Sequence, residues 1–256
     1  MASRDAPSSP DTPPAPSPAL SVVIPVLNEA DCIEPLAEEI VTALDGRHEY
    51  EIVFVDDGST DATPERLRAA AARWPRLRSV RHRTRAGQSA AVATGVREAR
   101  APVIATLDGD GQNDPADIPR LLAVLAEADD PDRMLVAGLR AHRQDSAWKK
   151  LSSRIANRVR AGLLGDDTPD TGCGLKAFGR DAFLRLPAFD HMHRFLPALM
   201  VRGGGRVVSV PVNHRPRDRG RSKYGTLDRL AVGIFDLFGV LWLKRRARLT
   251  VVEVDR

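Results

Sequence analysis

A chain of 256 residues, 43% of them hydrophobic, has material for one sizeable core with at most a small appendage, and no room for a multidomain array. Two cysteines, Cys32 and Cys173, make no disulfide framework, and no secretory signal is recognisable, which predicts a cytoplasmic setting. The net charge of +4 conceals a division: residues 20–139 hold 13 Lys/Arg against 21 Asp/Glu, and residues 140–223 hold 18 against 7. A basic second half suits nucleic acid, an anionic membrane surface or a phosphorylated substrate. The 5% aromatic content, with no aromatics interleaved among the arginines, argues against nucleic acid.

Residues 1–19 are rich in Pro, Ser and Ala without apolar periodicity and read as a disordered tail. The continuous apolar run Leu20–Leu27 predicts a buried parallel strand that ends near Pro25, whose nitrogen cannot donate to a ladder. Ile33, Leu36, Ile40 and Leu44 carry helical spacing over Asp31–Leu44. A second strand, Glu51–Val55, runs into Asp56-Asp57-Gly58-Ser59-Thr60-Asp61 and then a helix over Ala62–Trp74. Leu77–Arg83 is a weaker strand. In the helix predicted for Gln88–Arg100, Ala90, Ala91 and Gly95 permit close packing. The run Val103–Leu107 stops at Asp108 and Asp110, with a helix over Ala116–Ala128 and a strand over Met134–Ala137 beyond. Such alternation predicts an α/β fold with a mostly parallel central sheet and helices on both faces.

After Gly138 the character changes. Trp148–Leu164 reads as a basic helix. Asp170-Thr171-Gly172-Cys173-Gly174-Leu175-Lys176 leads into a further helix through Leu186, then a helix over His191–Arg202 and a strand over Arg206–Val212. The stretch Asn213–Tyr224, with Gly, Pro, five Lys/Arg and a histidine, reads as a mobile loop. Tyr224–Leu243 has helical apolar spacing, is too short to span a bilayer and carries Asp236 at its middle. It fits an interfacial helix anchored by Trp242 and Lys244-Arg245-Arg246, with burial against the domain or in a dimer as the competing reading.

Asp and Gly are ordinary turn formers, so Asp108-Gly109-Asp110-Gly111 alone does not define a site. Its setting does more. Ligands of open α/β sheets bind at the carboxyl ends of the strands. Acidic residues end three such segments: Glu29, Asp57, and Asp108 with Asp110. The late loop adds Arg217, Arg219 and Lys223. Carboxylates can accept from a base and a ribose, Mg²⁺ or Mn²⁺ on hard oxygens can bridge a diphosphate, and loop cations can close over it. The pattern suits a nucleotide-diphosphate ligand.

Five stretches in this order, Val23-Ile24-Pro25-Val26-Leu27-Asn28-Glu29, Val55-Asp56-Asp57-Gly58-Ser59-Thr60-Asp61, Gly87-Gln88-Ser89-Ala90-Ala91, Asp108-Gly109-Asp110-Gly111-Gln112 and Arg217 to Tyr224, resemble a family 2, GT-A-type (Rossmann-like) glycosyltransferase. The similarity is closest to polyprenyl-phosphate (dolichyl-phosphate) mannosyltransferases and covers about residues 20–224. The resemblance implies that Pro25, Leu27, Glu29, Val55 and Asp57 line the nucleotide pocket. It implies that Asp108, Gly109 and Asp110 flank the sugar-nucleotide, with Asp108, Asp110 and Gln112 at Mg²⁺ or Mn²⁺. Arg140 matches a phosphate-contacting arginine, and Arg217 and Lys223 match cations that hold the donor diphosphate and the acceptor phosphate. Asp108, Asp110, Arg217 and Lys223 are the implied catalytic set. Relatives more often have Ala between the aspartates and Leu after them, and commonly a cation before the small-residue helix, for which Arg85 is the candidate. Many bacterial relatives add two C-terminal transmembrane helices that this sequence lacks.

The implied donor is GDP-mannose or a UDP-hexose, mannose being favoured, and the implied acceptor is a polyprenyl phosphate. A lipid phosphate is already anionic at neutral pH and needs no general base, whereas a hydroxyl acceptor does. Asp170 is the one acid of the basic half in a motif-like setting and would serve a hydroxyl acceptor. A nucleotidyltransferase would carry a Gly-rich basic loop after the first strand, and Pro25–Glu29 has none. The expected organisation is a tail over 1–19, a catalytic domain over 20–224 (nucleotide-sugar half 20–139, acceptor half 140–224), and a C-terminal amphipathic helix with a tail over 225–256. The expected location is peripheral, at the inner face of the cell membrane.

Overall fold

The computed structural model of the chain describes residues 17–140, 160–216 and 226–248, the last segment with side chains from residue 233 onward. The tail up to residue 16, the greater part of the expected basic helix (148–159), and loop residues 217–225, with Arg217, Arg219 and Lys223, lie outside the described residues.

The strands are β1 (Leu20–Val26), β2 (Tyr50–Asp56), β3 (Leu77–Arg81), β4 (Val103–Thr106), β5 (Met134–Arg140), β6 (Lys176–Gly179) and β7 (Arg206–Val212). The helices are α1 (Ala30–Leu44), α2 (Thr63–Arg73), α3 (Gln88–Glu98), α4 (Ile118–Ala126), α5 (Arg180–Leu184), α6 (Leu196–Arg202) and α7 (Thr226–Arg245). One seven-stranded sheet has the order β3-β2-β1-β4-β6-β5-β7. β6 runs antiparallel to both of its neighbours, and the other pairs are parallel, so the remaining strands all point the same way. The carboxyl ends of β1, β2, β4, β5 and β7 therefore share one edge with the start of β6.

Side chains alternate across the sheet as the pleat requires. Val22, Ile24 and Phe54 pack with α1, α2 and α4 on one face. Val23, Val53 and Val55 pack with α3, α5, α6 and α7 on the other. The close approach of α3 depends on Gly95, where an added Cβ would lie 2.3 Å from Val23 Cγ1 and 3.0 Å from Val55 Cγ2.

Two expectations for the second half need correction. The segment after Asp170 is not helical from Lys176: Lys176–Gly179 is a fully buried strand paired on both sides, and only Arg180–Leu184 is helix. Four apolar-flanked residues carry no period that separates strand from helix, and pairing on both edges decides. The helix expected over His191–Arg202 divides into a 3-10 turn, Met192–Arg194, and α6, which starts at Leu196 with Pro197 in its first turn.

α7 is apolar on two sides. Val240 is buried, and Leu237, Leu241 and Leu243 pack on the second core cluster. Phe235, Phe238 and Trp242 are 81%, 66% and 59% exposed. Polar ties hold the inner side: Asp236 Oδ2 lies 3.1 Å from His191 Nδ1, Arg202 Nε donates to the Leu243 carbonyl, and Lys244 Nζ donates to the Leu164 carbonyl.

At the opposite edge of the sheet, Glu51 is 5% exposed. Its carboxylate accepts from Ser21 Oγ at 2.6 Å, Arg78 Nε at 2.9 Å and the Arg100 amide at 2.6 Å. Burial alone would push this carboxyl up, but the hydrogen bonds outweigh burial and hold it below its ordinary value of 4.5. The stabilisation is complete above that value and is lost as pH falls through the lower folded one. Glu51→Ala strips three donors of their acceptor and should cost roughly 2–4 kcal/mol, read as a lower urea midpoint at pH 7. The deficit should shrink in acid.

Candidate active site

Two loops at the shared edge build one wall. Asn28, with φ 52°, turns the chain out of β1. The segment after β2 then clasps it: Asn28 N–H donates to Ser59 Oγ at 2.9 Å, Thr60 N–H donates to Asn28 Oδ1 at 2.8 Å, and Glu29 N–H donates to Thr63 Oγ1 at 3.0 Å. The first two sequence motifs are thus halves of one structure. Asp56, fully buried, caps Ser59 N–H and pairs with Arg81 at 3.1 Å. Asp57 Oδ1 accepts from Ala86 N–H and faces His82 Nδ1, both at 2.8 Å, while Oδ2 accepts from Gly87 N–H at 2.8 Å. His82 Nε2 in turn meets Thr94 Oγ1 at 3.0 Å. Asp57 carries the loop that leads into α3, a role its sequence position did not disclose.

These loops and the end of β4 enclose a pocket of about 460 Å³. Pro25, Leu27, Glu29, Asp57, Asp108, Gly109 and Asp110 line it, so seven of the expected residues converge. Arg85, the candidate cation before α3, lines it too. Gly109 stands where a Cβ would meet Val26 Cγ1 at 2.5 Å and the Pro25 carbonyl at 2.9 Å. The alanine common in relatives therefore does not fit here.

Three expected residues stand apart. Val55 is fully buried in the core beneath α3, because strand alternation turns it to that face before the pocket begins. Gln112 is held by its own loop: its N–H donates to Asp110 Oδ1 at 3.1 Å, and Nε2 donates to the Arg215 carbonyl at 3.3 Å. It does not line the pocket. Arg140 lies behind the pocket lining, in a two-pronged ion pair with Asp170 at 2.6 and 2.7 Å. Asp170 is 4% exposed and also accepts from the Arg140 amide, so this carboxylate is locked to a guanidinium and is unsuited to act as a base.

The structure adds residues that sequence reasoning passed over. Gln88 Nε2 donates to Asp108 Oδ1 at 2.9 Å. Thr171 to Gly174, Lys176, His193 and Arg194 form the far wall. Only the Gly-Cys-Gly-Leu-Lys composition hinted at the first of these. Thr106 Oγ1 donates to the Gly174 carbonyl at 2.7 Å, which draws this segment against the end of β4.

Burial and the charge of Asp110 push the Asp108 carboxyl up to about 6. A buried carboxylate facing a second one is relieved by a cation, and the two hard oxygen donors fit Mg²⁺ or Mn²⁺. Among the described residues no cluster of three His, Cys, Asp or Glu completes such a site. An ion held here would keep positions for water or phosphate oxygens. Gly174 sets the geometry, since a Cβ there would sit 2.3 Å from Asp108 Cγ and Oδ2. Gly174→Ala should displace Asp108 and weaken Mn²⁺ binding by about 10- to 100-fold in a metal titration. The urea midpoint should move little, because the half-buried Asp108 side chain gives way and the backbone does not.

Residues 21–186 match the family model described as glycosyl transferase family 2. The chain is 36% identical over 231 residues to the dodecaprenyl-phosphate galacturonate synthase of Rhizobium johnstonii, covering 88% of this chain and 67% of that protein. It is 38% identical over 213 residues to the undecaprenyl-phosphate 4-deoxy-4-formamido-L-arabinose transferase of Edwardsiella ictaluri, covering 81% and 63%. The chain thus spans about two thirds of the length of these relatives. Among solved structures it is similar to glucosyl-3-phosphoglycerate synthase from Mycobacterium tuberculosis in complex with Mn²⁺, uridine diphosphate and glucosyl-3-phosphoglycerate. The TM-score is 0.65 at 21% identity, over 89% of this chain and 80% of that one, a likeness of fold. A family match running from β1 through α5, with relatives more than a third identical along most of the chain, decides the assignment: the chain belongs to glycosyl transferase family 2 and has the GT-A-type fold.

Proposed function

We propose that the chain transfers a sugar from a nucleoside-diphosphate sugar to a polyprenyl phosphate, with inversion at the anomeric carbon. The observation that carries this reading is that, among the described residues, no acid or histidine of the basic half is placed to act as a base at the donor pocket. Asp170 is bound to Arg140. His193 is pushed down to about 3 by burial and by the neighbouring Arg194 and Lys176. Asp108 and Asp110 are the pair suited to a cation. A phosphate nucleophile arrives already ionised and needs none of these as a base.

In this reading Glu29 and the loop hung from Asp57 receive the nucleoside. Asp108 and Asp110 hold Mg²⁺ or Mn²⁺, which supplies charge neutralisation to the departing diphosphate. An acceptor phosphate oxygen forms the new bond to C1 as the C1–O bond to the diphosphate breaks, and the nucleoside diphosphate leaves. Arg217 and Lys223 are assigned to the phosphates on the strength of their motif. Two curated relatives are named for transfer to dodecaprenyl and undecaprenyl phosphate, which supports the acceptor class. Their sugars, galacturonate and an aminoarabinose derivative, differ from the mannose that the sequence resemblance favours. GDP-mannose and UDP-hexoses therefore stand together as donors to be tried.

The test is to incubate the protein with Mn²⁺, a polyprenyl phosphate and each donor in turn, reading lipid-linked sugar. Asp110→Ala should lower turnover by about 10²-fold or more. Metal-dependent donor binding without lipid product would return the reading to a hydroxyl acceptor. Absence of any nucleotide-sugar binding would sink it.

A lipid acceptor brings the enzyme to a membrane surface, and no helix among the described residues is long and apolar enough to cross one. We assign contact with the inner face to the outer side of α7, where Phe235, Phe238 and Trp242 stand beside exposed Arg245 and Arg246. Replacing the three aromatics by serine should abolish co-flotation with vesicles containing anionic lipid and leave the melting temperature nearly unchanged.

A further inference from the structure

The sheet order separates the pocket into two chemically different ends. β1 and β2 lie on one side of β4 and bring Glu29 and Asp57. β6 lies on the other side of β4 and brings Lys176, with His193 and Arg194 completing that wall. Asp108, at the end of β4, stands between them. If the nucleoside occupies the β1–β2 end and the diphosphate meets Asp108 and Asp110, the sugar reaches toward Lys176, His193 and Arg194.

Beside Thr171 and the Gly172–Gly174 main chain, the charged and ring side chains of that wall are donors. Lys176 is 4% exposed, and its ammonium donates to the Cys173 carbonyl. Burial pulls its pKa down, against the opposing pull of Cys173, Asp108 and Asp170. The two carboxylates have other commitments: Asp170 grips Arg140, and Asp108 is capped by Gln88. Arg194 adds a second cation. His193, kept neutral by burial, adds a ring whose Nδ1 is engaged by Ser89. The buried Ser89 Oγ accepts His193 N–H at 3.2 Å and lies 2.7 Å from His193 Nδ1. With the hydroxyl proton turned to Nδ1, the ring proton sits on Nε2. Sugar hydroxyls both donate and accept, and a wall of donors leaves their protons unserved. A carboxylate accepts only, and it suits such a wall.

Resting on the transferase reading, we propose that the Lys176–His193–Arg194 wall is a carboxylate-binding subsite, and that the enzyme selects a nucleotide sugar of the uronic acid class. The depth of Lys176 favours a group carried on the donor over a phosphate arriving on a lipid chain. The wall then does two things: it neutralises the sugar's charge, and it fixes the ring so that C1 faces the acceptor.

The test compares donors that differ only at C6, UDP-glucuronate with UDP-glucose and UDP-galacturonate with UDP-galactose, by calorimetry in Mn²⁺. The wild type should bind at least one uronate about tenfold or more tighter than its neutral partner. Arg194→Gln, at a half-buried position that tolerates change, and Lys176→Met should erase that preference while UDP alone binds as before. His193→Gln, which keeps a donor near the place of Nε2, should retain more of the preference than His193→Leu. Equal binding of the paired donors, or a preference unmoved in Arg194→Gln, overturns the subsite. So does a result in which these variants raise only the KM for polyprenyl phosphate, since the wall would then serve the acceptor. Failure of both UDP and GDP to bind defeats the transferase reading itself, whereas nucleotide binding without uronate preference defeats only the subsite.

Discussion

The site depends on the pairing of β4 with a strand that runs against the rest of the sheet. Because β6 is reversed, its first residue arrives at the edge where β1, β2 and β4 finish, in register with Thr106 opposite Lys176. The Thr106 hydroxyl then draws the Gly174 carbonyl in, and Gly174 lies directly against Asp108. A parallel strand at that position would have delivered its carboxyl end, with the following loop rising away from the edge. The reversal lets main chain, an ammonium and a carboxylate share a small volume at the point where the charge of a leaving diphosphate would have to be met.

The division of charge along the sequence becomes a division of space. Acidic residues of the first half end up on the β1–β2 side, and cations from the second half line the β6 side. Neither side is a loose collection. The acidic side is stitched by Asn28, Ser59, Thr60 and Thr63, and Asp57 spends its oxygens on two amides and a histidine. A carboxylate so engaged holds a loop in place first and reads a ligand second. Glu51 does comparable work at the far edge, so the pocket and this buried polar knot sit at opposite ends of the strands.

Much of this was legible in the residues. Long apolar runs ending in acids gave β1, β2 and β4 and the edge at which they meet, and the order of the motifs gave the family. What escaped had physical reasons. β6 is four residues long, and its identity comes from partners distant in sequence. Val55 was assigned to the pocket by motif, yet the parity of the pleat turns it to the core. Arg140 looked like a phosphate ligand, but Asp170, thirty residues on, claims it with two hydrogen bonds. His193 carried no signal, since its ring is held by Ser89 across a separation of 104 residues.

One carboxylate joins the outermost helix to the floor of the site. Asp236 sits midway along α7, and its oxygen meets His191, the residue whose left-handed backbone opens the turn that presents His193 and Arg194. The far end of the same helix is pinned twice, where Arg202 donates to its Leu243 carbonyl and where its Lys244 donates to the Leu164 carbonyl. Mechanically, α7 is a lever bolted to the pocket rather than a handle attached to its outside. Under the proposed surface contact, a load on its aromatic face would be borne by the wall that would meet the substrate, and orientation on a surface and cavity shape would become one variable.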